Sequence, residues 1–430
     1  MYLTGRFVAL LLLGAVPTII VPEYYVVALW IIGALVLAGV DFLAAGSTGA
    51  LRIVRRPTDP IRLGESTSST LIVENNSGRR FRGRLRDAWQ PSAGATGNRH
   101  DLDIPGGERV AVRTGLTPTR RGDRLALRVT VRRRGPLGLA GRQHSLPMPG
   151  FVRALPPFGS RRHLPSRLAR LRQLDGRSAV RIRGQGTEFD SLRDYVEGDD
   201  VRSIDWRATA RRRSVVVRTW QPEKDRHIVI VLDTSRTSAG RVGDIPRLDA
   251  AMDAALLLAA LAAHAGDRVD LIAGDRRVHT RVVGVTGSSL LSSLVNAMTT
   301  LEPALLEADW PLLGAEVTKI SRQRALLVLL TPLEPAAVEE SLLAPLSVLA
   351  QRYRVVIGSV ADPALGEMMT HRDDLEEIYD AAAAARTTLL RNRTATALGR
   401  LGVDVVDAPP ERLPAALADH YLSLKSRGLL

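Results

Sequence analysis

With 430 residues and a formal net charge of +14, the chain exceeds a single small core, and its 45% apolar content excludes a disordered polymer. It has no cysteine, which removes disulfides, thiolate catalysis and Cys-ligated zinc, while its eight histidines include no HExxH pair. Lys224, Lys319 and Lys425 are the only lysines and none follows a glycine, so a Walker loop is absent and the positive charge reflects an arginine-rich composition as much as a nucleic-acid partner.

Residues 7–21 and 24–43 are apolar runs divided at Pro22 and Glu23, each near the length a helix needs to cross a bilayer. They predict a transmembrane hairpin over 1–46. Arg6 precedes the first run, and Arg52, Arg55 and Arg56 follow the second. The positive-inside tendency therefore predicts a cell-membrane protein with two transmembrane helices, both termini and the soluble domains being cytoplasmic. A cleaved signal peptide is the alternative, but no A-x-A site follows the first run.

From 57 to 152 the pattern changes to short alternating segments such as STLIVEN and RLALRVTVRR, punctuated by NNSG, PGG and RRGD. Period-two alternation with turns about every ten residues predicts a small immunoglobulin-like β-sandwich. Residues 153–185 read as a basic connector, since 153–183 hold nine arginines against one acid, Asp175. Leu164, Leu168, Leu171 and Leu174 mark a short helix there. Lipid headgroups or nucleic acid are the partners such a stretch would attract, although a solvated connector is the simpler account.

Residues 186–226 alternate carboxylates and guanidiniums, and beyond them a domain over 227–430 alternates strand with helix. Strands are expected at 227–232, 268–273, 325–330, 354–360 and 402–406, with an edge strand in 275–285. Helices are expected near 247–265, 288–301, 335–351, 374–400 and 411–426. Continuous apolar strands between amphipathic helices predict an α/β doubly wound, Rossmann-like sheet. The fold class is thus multidomain: transmembrane hairpin, β-sandwich, then doubly wound α/β.

In such a sheet, ligands bind beyond the carboxyl ends of the strands. The stretch IVIVLDTSRTSAG ends a strand there, with Asp233, Ser235 and Thr237 in Asp-x-Ser-x-Thr spacing. A carboxylate with two hydroxyls supplies part of an oxygen shell for Mg²⁺ or Mn²⁺. The pattern resembles the metal-ion-dependent adhesion site of von Willebrand factor A domains. That resemblance implies a later hydroxyl, for which Thr286 and Ser288 (with Ser289) are placed, and an aspartate after the fourth strand. Pro332 stands where the aspartate belongs, which leaves the site incomplete, and Glu334 is the candidate substitute.

The segment from 186 to 227 resembles the signature of the bacterial domain-of-unknown-function family numbered fifty-eight. Its matching residues are Glu188, Phe189, Leu192, Arg193, Tyr195, Gly198, Asp199, Asp200, Arg202, Ile204, Asp205, Trp206 and Arg218. Physically, Leu192, Tyr195 and Val196 are expected on one helical face, with Asp199 or Asp200 capping a second short helix. Ion pairs would hold the segment on the A-type domain as a clamp, with a partner-binding surface as the alternative.

The resemblance implies a membrane-anchored interaction scaffold, working with a MoxR-type AAA ATPase and other membrane proteins in complex assembly or maturation. The expected function is therefore binding without catalysis, and no nucleic acid is expected. Two alternatives remain: a metal-assisted hydrolase built on Asp233, and nucleic-acid or anionic-surface binding through the connector.

Overall fold

The computed structural model describes residues 1–181, 188–221 and 226–430, with the backbone alone at 175–181, 188–190 and 219–221. It divides into two compact units, Met1–Leu155 and Pro156–Leu430.

The first unit opens with helices α1 (Gly5–Leu13), α2 (Ala15–Ile20) and α3 (Tyr24–Ala44). At 21 residues α3 is long and apolar enough to cross a membrane, whereas 5–20 is shorter. The Trp30 indole N–H donates to the Leu10 carbonyl at 2.9 Å, tying α3 to α1. Gly14 admits that packing, because a Cβ there would lie 2.4 Å from the Trp30 ring.

Seven longer strands follow: β1 (Leu51–Arg55), β2 (Thr67–Asn75), β3 (Phe81–Trp89), β4 (Arg99–Ile104), β5 (Arg109–Leu116), β6 (Gly122–Arg134) and β7 (Ala140–Leu155). β7, β6, β3 and β4 pair antiparallel in one sheet, and β1, β2 and β5 in another. Leu71 and Val73 of the second sheet share a core with Phe81, Leu85, Val129 and Val131 of the first, so alternate residues of both sheets face inward.

One ionic cluster crosses this core. The Arg55 guanidinium donates to Asp87 Oδ1 at 2.7 Å, to Asp87 Oδ2 at 3.1 Å and to Ser69 Oγ at 2.8 Å. The Trp89 indole N–H completes the carboxylate at 2.8 Å, and Arg55 lies over the Trp89 ring. Asp87 is fully buried and Arg55 nearly so.

In the second unit, α4 (Leu164–Arg181) packs on later helices through Leu171 and an Arg167–Asp419 ion pair of 2.9 Å. The stretch read as a connector is thus divided: its first residues end β7, most of it is α4, and 182–185 lie outside the described residues. A hairpin of β8 (Glu188–Asp194) and β9 (Val216–Gln221) encloses helix α5 (Trp206–Arg212).

The main sheet contains β10 (His227–Asp233), β11 (Arg268–Gly274), β12 (Val278–Val282), β13 (Leu326–Leu330), β14 (Arg354–Val360) and β15 (Asp404–Ala408). Its order is β12-β11-β10-β13-β14-β15, parallel throughout except for the antiparallel edge strand β12. The connections carry α6 (Arg247–His264), α7 (Ser289–Thr299), α8 (Trp310–Ile320), α9 (Leu343–Arg352), α10 (Leu375–Arg400) and α11 (Leu413–Ser426).

Both faces of the sheet are covered. Val229, Val231, Leu327 and Leu329 pack with Trp310, Leu313, Leu346 and Leu349, while the alternate residues of β10 face the alanine-rich α6. Helix α8 lies where no helix was expected. Pro311 suits its first turn, and the Asp309 carboxylate caps that turn by accepting from the Leu312 N–H at 2.9 Å.

Truncating one partner of the Arg55–Asp87 pair leaves a buried charge alone. Asp87→Ala is expected to destabilise the first unit by about 3–5 kcal/mol in chemical denaturation, whereas the paired change Arg55→Met with Asp87→Leu recovers most of that loss.

Candidate functional site

β10 is apolar from Ile228 to Leu232 because parallel neighbours flank it and helices cover both its faces. Its first carboxylate, Asp233, stands at the strand's carboxyl end and is 1% exposed. Asp233 Oδ1 accepts from the Ser235 N–H at 2.7 Å. Asp233 Oδ2 accepts from Thr331 Oγ1 at 2.7 Å and from Thr237 Oγ1 at 3.2 Å. Ser235 Oγ and Thr237 Oγ1 are 3.0 Å apart. These groups line a cavity of about 10 Å³, room for one water-sized occupant, walled by Trp310, Val338 and Leu342.

Burial pushes the Asp233 carboxyl above its ordinary value, and the hydroxyls of Thr331, Ser235 and Thr237, with the Ser235 N–H, only partly offset this. A cation would remove the same penalty. The oxygen spacings of 2.7, 3.2 and 3.0 Å, those of ordinary hydrogen bonds, are also compatible with the edge of about 3.0 Å that an octahedral shell with Mg–O bonds near 2.1 Å requires. One carboxylate and three hydroxyls therefore fit part of a Mg²⁺ or Mn²⁺ shell, the remaining positions falling to water or an incoming ligand.

The other residues proposed for this shell lie elsewhere. Glu334 accepts from Arg247 Nη1 at 2.9 Å and does not line the cavity. Thr286 and Ser288 are exposed at the start of α7, where the Thr286 carbonyl accepts from Ser289 Oγ. Pro332 lines the wall without a donor, and its neighbour Thr331 supplies the contact to Asp233. Thr331 was legible as the threonine of VLLTPLE, but only the pairing of β13 with β10 brings it to Asp233. Glu307 also lines the cavity, held by Arg236 at 2.8 Å, and nothing in its local sequence announces this. Behind the site, Thr234 Oγ1 and His279 Nε2 both meet the buried Asp275 Oδ2, at 3.2 and 2.7 Å.

The segment around residue 200 forms a separate cluster. Leu192 belongs to strand β8 opposite Arg218, and Tyr195 and Val196 enter a turn, so the expected helix is absent. Pairing with β9 overrides a weak helical spacing there. Asp199 accepts from Arg193 Nη2 at 2.6 Å and from the Val196 N–H at 2.9 Å, and Arg193 holds its carboxyl below the ordinary range. Gly198, at φ +106°, makes the turn possible.

Asp200 caps the short turn Val201–Ser203 through the Arg202 N–H. Asp205 caps α5 through the N–H groups of Arg207 and Ala208, and its other oxygen accepts from Arg218 Nε at 2.8 Å. The Ala208 N–H and then Arg218 hold Asp205 below its ordinary value. Ile204 bridges Val217. The two ion pairs, Arg193–Asp199 and Arg218–Asp205, therefore fold the segment upon itself. Val196, Val201 and Trp206 are left 61%, 61% and 67% exposed. Glu188 and Phe189 are described in backbone only, paired with Gln221 and Trp220, while 186, 187 and 222–225 of this segment lie outside the described residues.

The family described as "Protein of unknown function DUF58" matches residues 191–396, which take in this cluster and most of the main sheet. Uncharacterised proteins of Mycobacterium bovis and Mycobacterium tuberculosis are 27% identical over 185 residues, 42% of this chain. The chain spans 57% of those relatives' length. Among solved structures, the ASH/PapD-like domain of human CEP192 is similar at 13% identity and TM-score 0.19, covering 24% of this chain and 84% of that one. The GH20 exo-β-N-acetylglucosaminidase of Vibrio harveyi is similar at 10% identity and TM-score 0.24, covering 83% and 75%. Neither score carries an argument about fold.

Titration calorimetry of the chain with Mn²⁺ is expected to show binding that Asp233→Ala abolishes. Thr331→Ala should weaken it roughly tenfold and Thr331→Ser restore it, because the serine returns the oxygen. Mn²⁺ heats unchanged in Asp233→Ala would place the metal elsewhere.

Proposed function

We propose that the protein is a membrane-anchored interaction scaffold whose second unit is a von Willebrand factor A-type domain. The supporting observation is the cavity at the end of β10, where one buried carboxylate and three hydroxyls converge without a histidine among its lining residues. Such a set suits capture of an oxygen-seeking cation. It offers little to activate water, which disfavours the hydrolase alternative.

Asp233, Ser235, Thr237 and Thr331 would hold Mg²⁺ or Mn²⁺ there. Once bound, the ion supplies a Lewis-acidic position for a carboxylate of a partner protein. Trp310, Val338 and Leu342 give the cavity an apolar wall. Thr331 and the Ser235 N–H fix the Asp233 carboxylate in place.

The exposed Trp206, Val201 and Val196 form an apolar surface within the segment rich in ion pairs. Because no nucleotide loop is present, energy for any remodelling must come from a partner. The resemblance to the numbered family supports a MoxR-type AAA ATPase in that role, with assembly or maturation of membrane complexes as the process. The first unit supplies the anchor, α1 with α2 forming one span and α3 the other. Thr4 and Asp41 both bind the loop at 137–140, which supports one side for the two outer ends of the hairpin, and the arginines there favour the cytoplasm.

In a pull-down with a purified MoxR-type ATPase, the full chain is expected to bind in Mg²⁺, less in EDTA, and not at all as Trp206→Ala. Trp206→Ala should stay within about 0.5 kcal/mol of wild-type stability, as suits an exposed side chain. Equal capture with and without Trp206 would sink the partner-surface role. The chain's lack of cysteine also makes topology measurable. Glu23→Cys is expected to react with a membrane-impermeant maleimide in intact cells and Ser47→Cys only after lysis, the reverse pattern contradicting the proposed orientation.

A further inference from the structure

Both ends of the apolar hairpin converge on one loop of the β unit, residues 135–140 between β6 and β7. The Thr4 N–H donates to the Leu139 carbonyl at 3.0 Å, and Thr4 Oγ1 to the Gly138 carbonyl at 2.5 Å. From the far end of α3, the Asp41 carboxylate accepts from the N–H groups of Leu137, Leu139 and Ala140 at 2.7, 2.7 and 2.8 Å. Asp41 is 1% exposed, and Gly135 is required beside it because a Cβ there would lie 2.2 Å from its carboxyl oxygen. If α3 spans a bilayer, these contacts fix the loop at the level of the headgroups. Leu137 of the same loop is 51% exposed.

Five arginines surround this junction. Arg142 lies over the Phe42 ring at 4.8 Å, where α3 ends, and Arg132 lies over the Tyr2 ring at 5.2 Å. Arg133 Nη1 donates to the Ser47 carbonyl at 3.2 Å. Arg6, at the start of α1, and Arg134, at the end of β6, are exposed. Among the described residues none of these five forms an ion pair with a carboxylate. Elsewhere in the same sheet the pattern differs: Arg84 pairs with Asp101, Arg80 with Asp103 and Arg153 with Asp123. The one acid at the junction, Asp41, is already occupied by backbone donors. Among the described residues, positive charge is therefore left without an acidic partner at this junction.

We propose that this junction binds an anionic phospholipid, its phosphate held between Arg6 and Arg134 with Arg132, which shares Arg134's face of β6, beside them, and its acyl chains along the exposed apolar side of α3. Guanidinium geometry suits a phosphodiester, and the Tyr2 ring holds Arg132 in place before lipid arrives. The proposal rests on the membrane reading above and adds the lipid class.

The test uses the full chain purified in detergent and examined by native mass spectrometry with added phosphatidylglycerol or phosphatidylcholine. Wild type is expected to retain phosphatidylglycerol in preference to phosphatidylcholine, and Arg6→Ala with Arg134→Ala to lose that preference, roughly tenfold or more at the usual contribution of a surface arginine. Equal retention of both lipids, or an undiminished preference in the double variant, overturns the proposal. Arg134→Gln alone, a change at an exposed side chain that makes no hydrogen bond or ion pair among the described residues, is expected to give a smaller loss and guards against misfolding of the double variant. An alkaline carbonate wash of membranes separates the two ideas. Release of the chain would defeat the membrane reading itself, whereas a retained chain without lipid preference would defeat only the lipid site.

Discussion

The second unit depends on the burial of β10. Strands β11 and β13 take its backbone hydrogen bonds, and helices cover both its faces, so Ile228 through Leu232 are at most 1% exposed. No polar side chain is tolerated along that length without a partner. Polar chemistry is therefore displaced to the strand's carboxyl end, where the crossover to α6 diverges and Asp233 finds hydroxyls from its own turn and from the end of β13. The helix positions follow from the same constraint: α8 and α9 close one face, α6 and α11 the other, and the wall formed by Trp310 and Leu342 is the rim of that packing.

Charges in the first unit are handled differently. Arg55 and Asp87 sit inside the sandwich, where a lone ion would be costly, and Ser69 and Trp89 complete the carboxylate and guanidinium contacts between the two sheets. Among the described residues Asp41 has no cationic partner. Three convergent N–H groups substitute for one, an arrangement that a loop with glycine at 135 and 138 can present. A carboxylate at the end of an apolar helix thus becomes the joint between that helix and the β unit.

The segment near residue 200 shows how a charge-rich sequence divides its labour. Asp200 and Asp205 cap turns, Asp199 and Asp205 also accept arginines, and the aromatic and aliphatic residues among them stay at the surface. Local ion pairs explain the acids and bases. They do not explain Trp206, which remains exposed among them.

Much of this molecule was legible from period and composition. Apolar runs of strand length separated by helical repeats marked the strands of the main sheet, since period and length are local properties of the chain. The apolar stretch that became α3 and the alternation that became the first unit's sheets were visible for the same reason. The Asp233, Ser235 and Thr237 cluster was visible because one turn makes it. Helix α8 and strand β8 were not: α8 is a short helix of 11 residues opening on a proline, and β8 pairs only with β9, a distant segment.

Contacts between distant segments lay beyond the sequence. Thr331 reaches Asp233 through strand order, Glu334 is drawn away by Arg247, and Asp41 meets a loop 96 residues further along. The sequence by itself determined which residues could be buried and where strand or helix period held, because those depend on near neighbours. Only the tertiary structure decided which oxygen faces Asp233 and which arginines lack an acid, because a buried or unpaired charge is defined by groups the chain brings together after it folds.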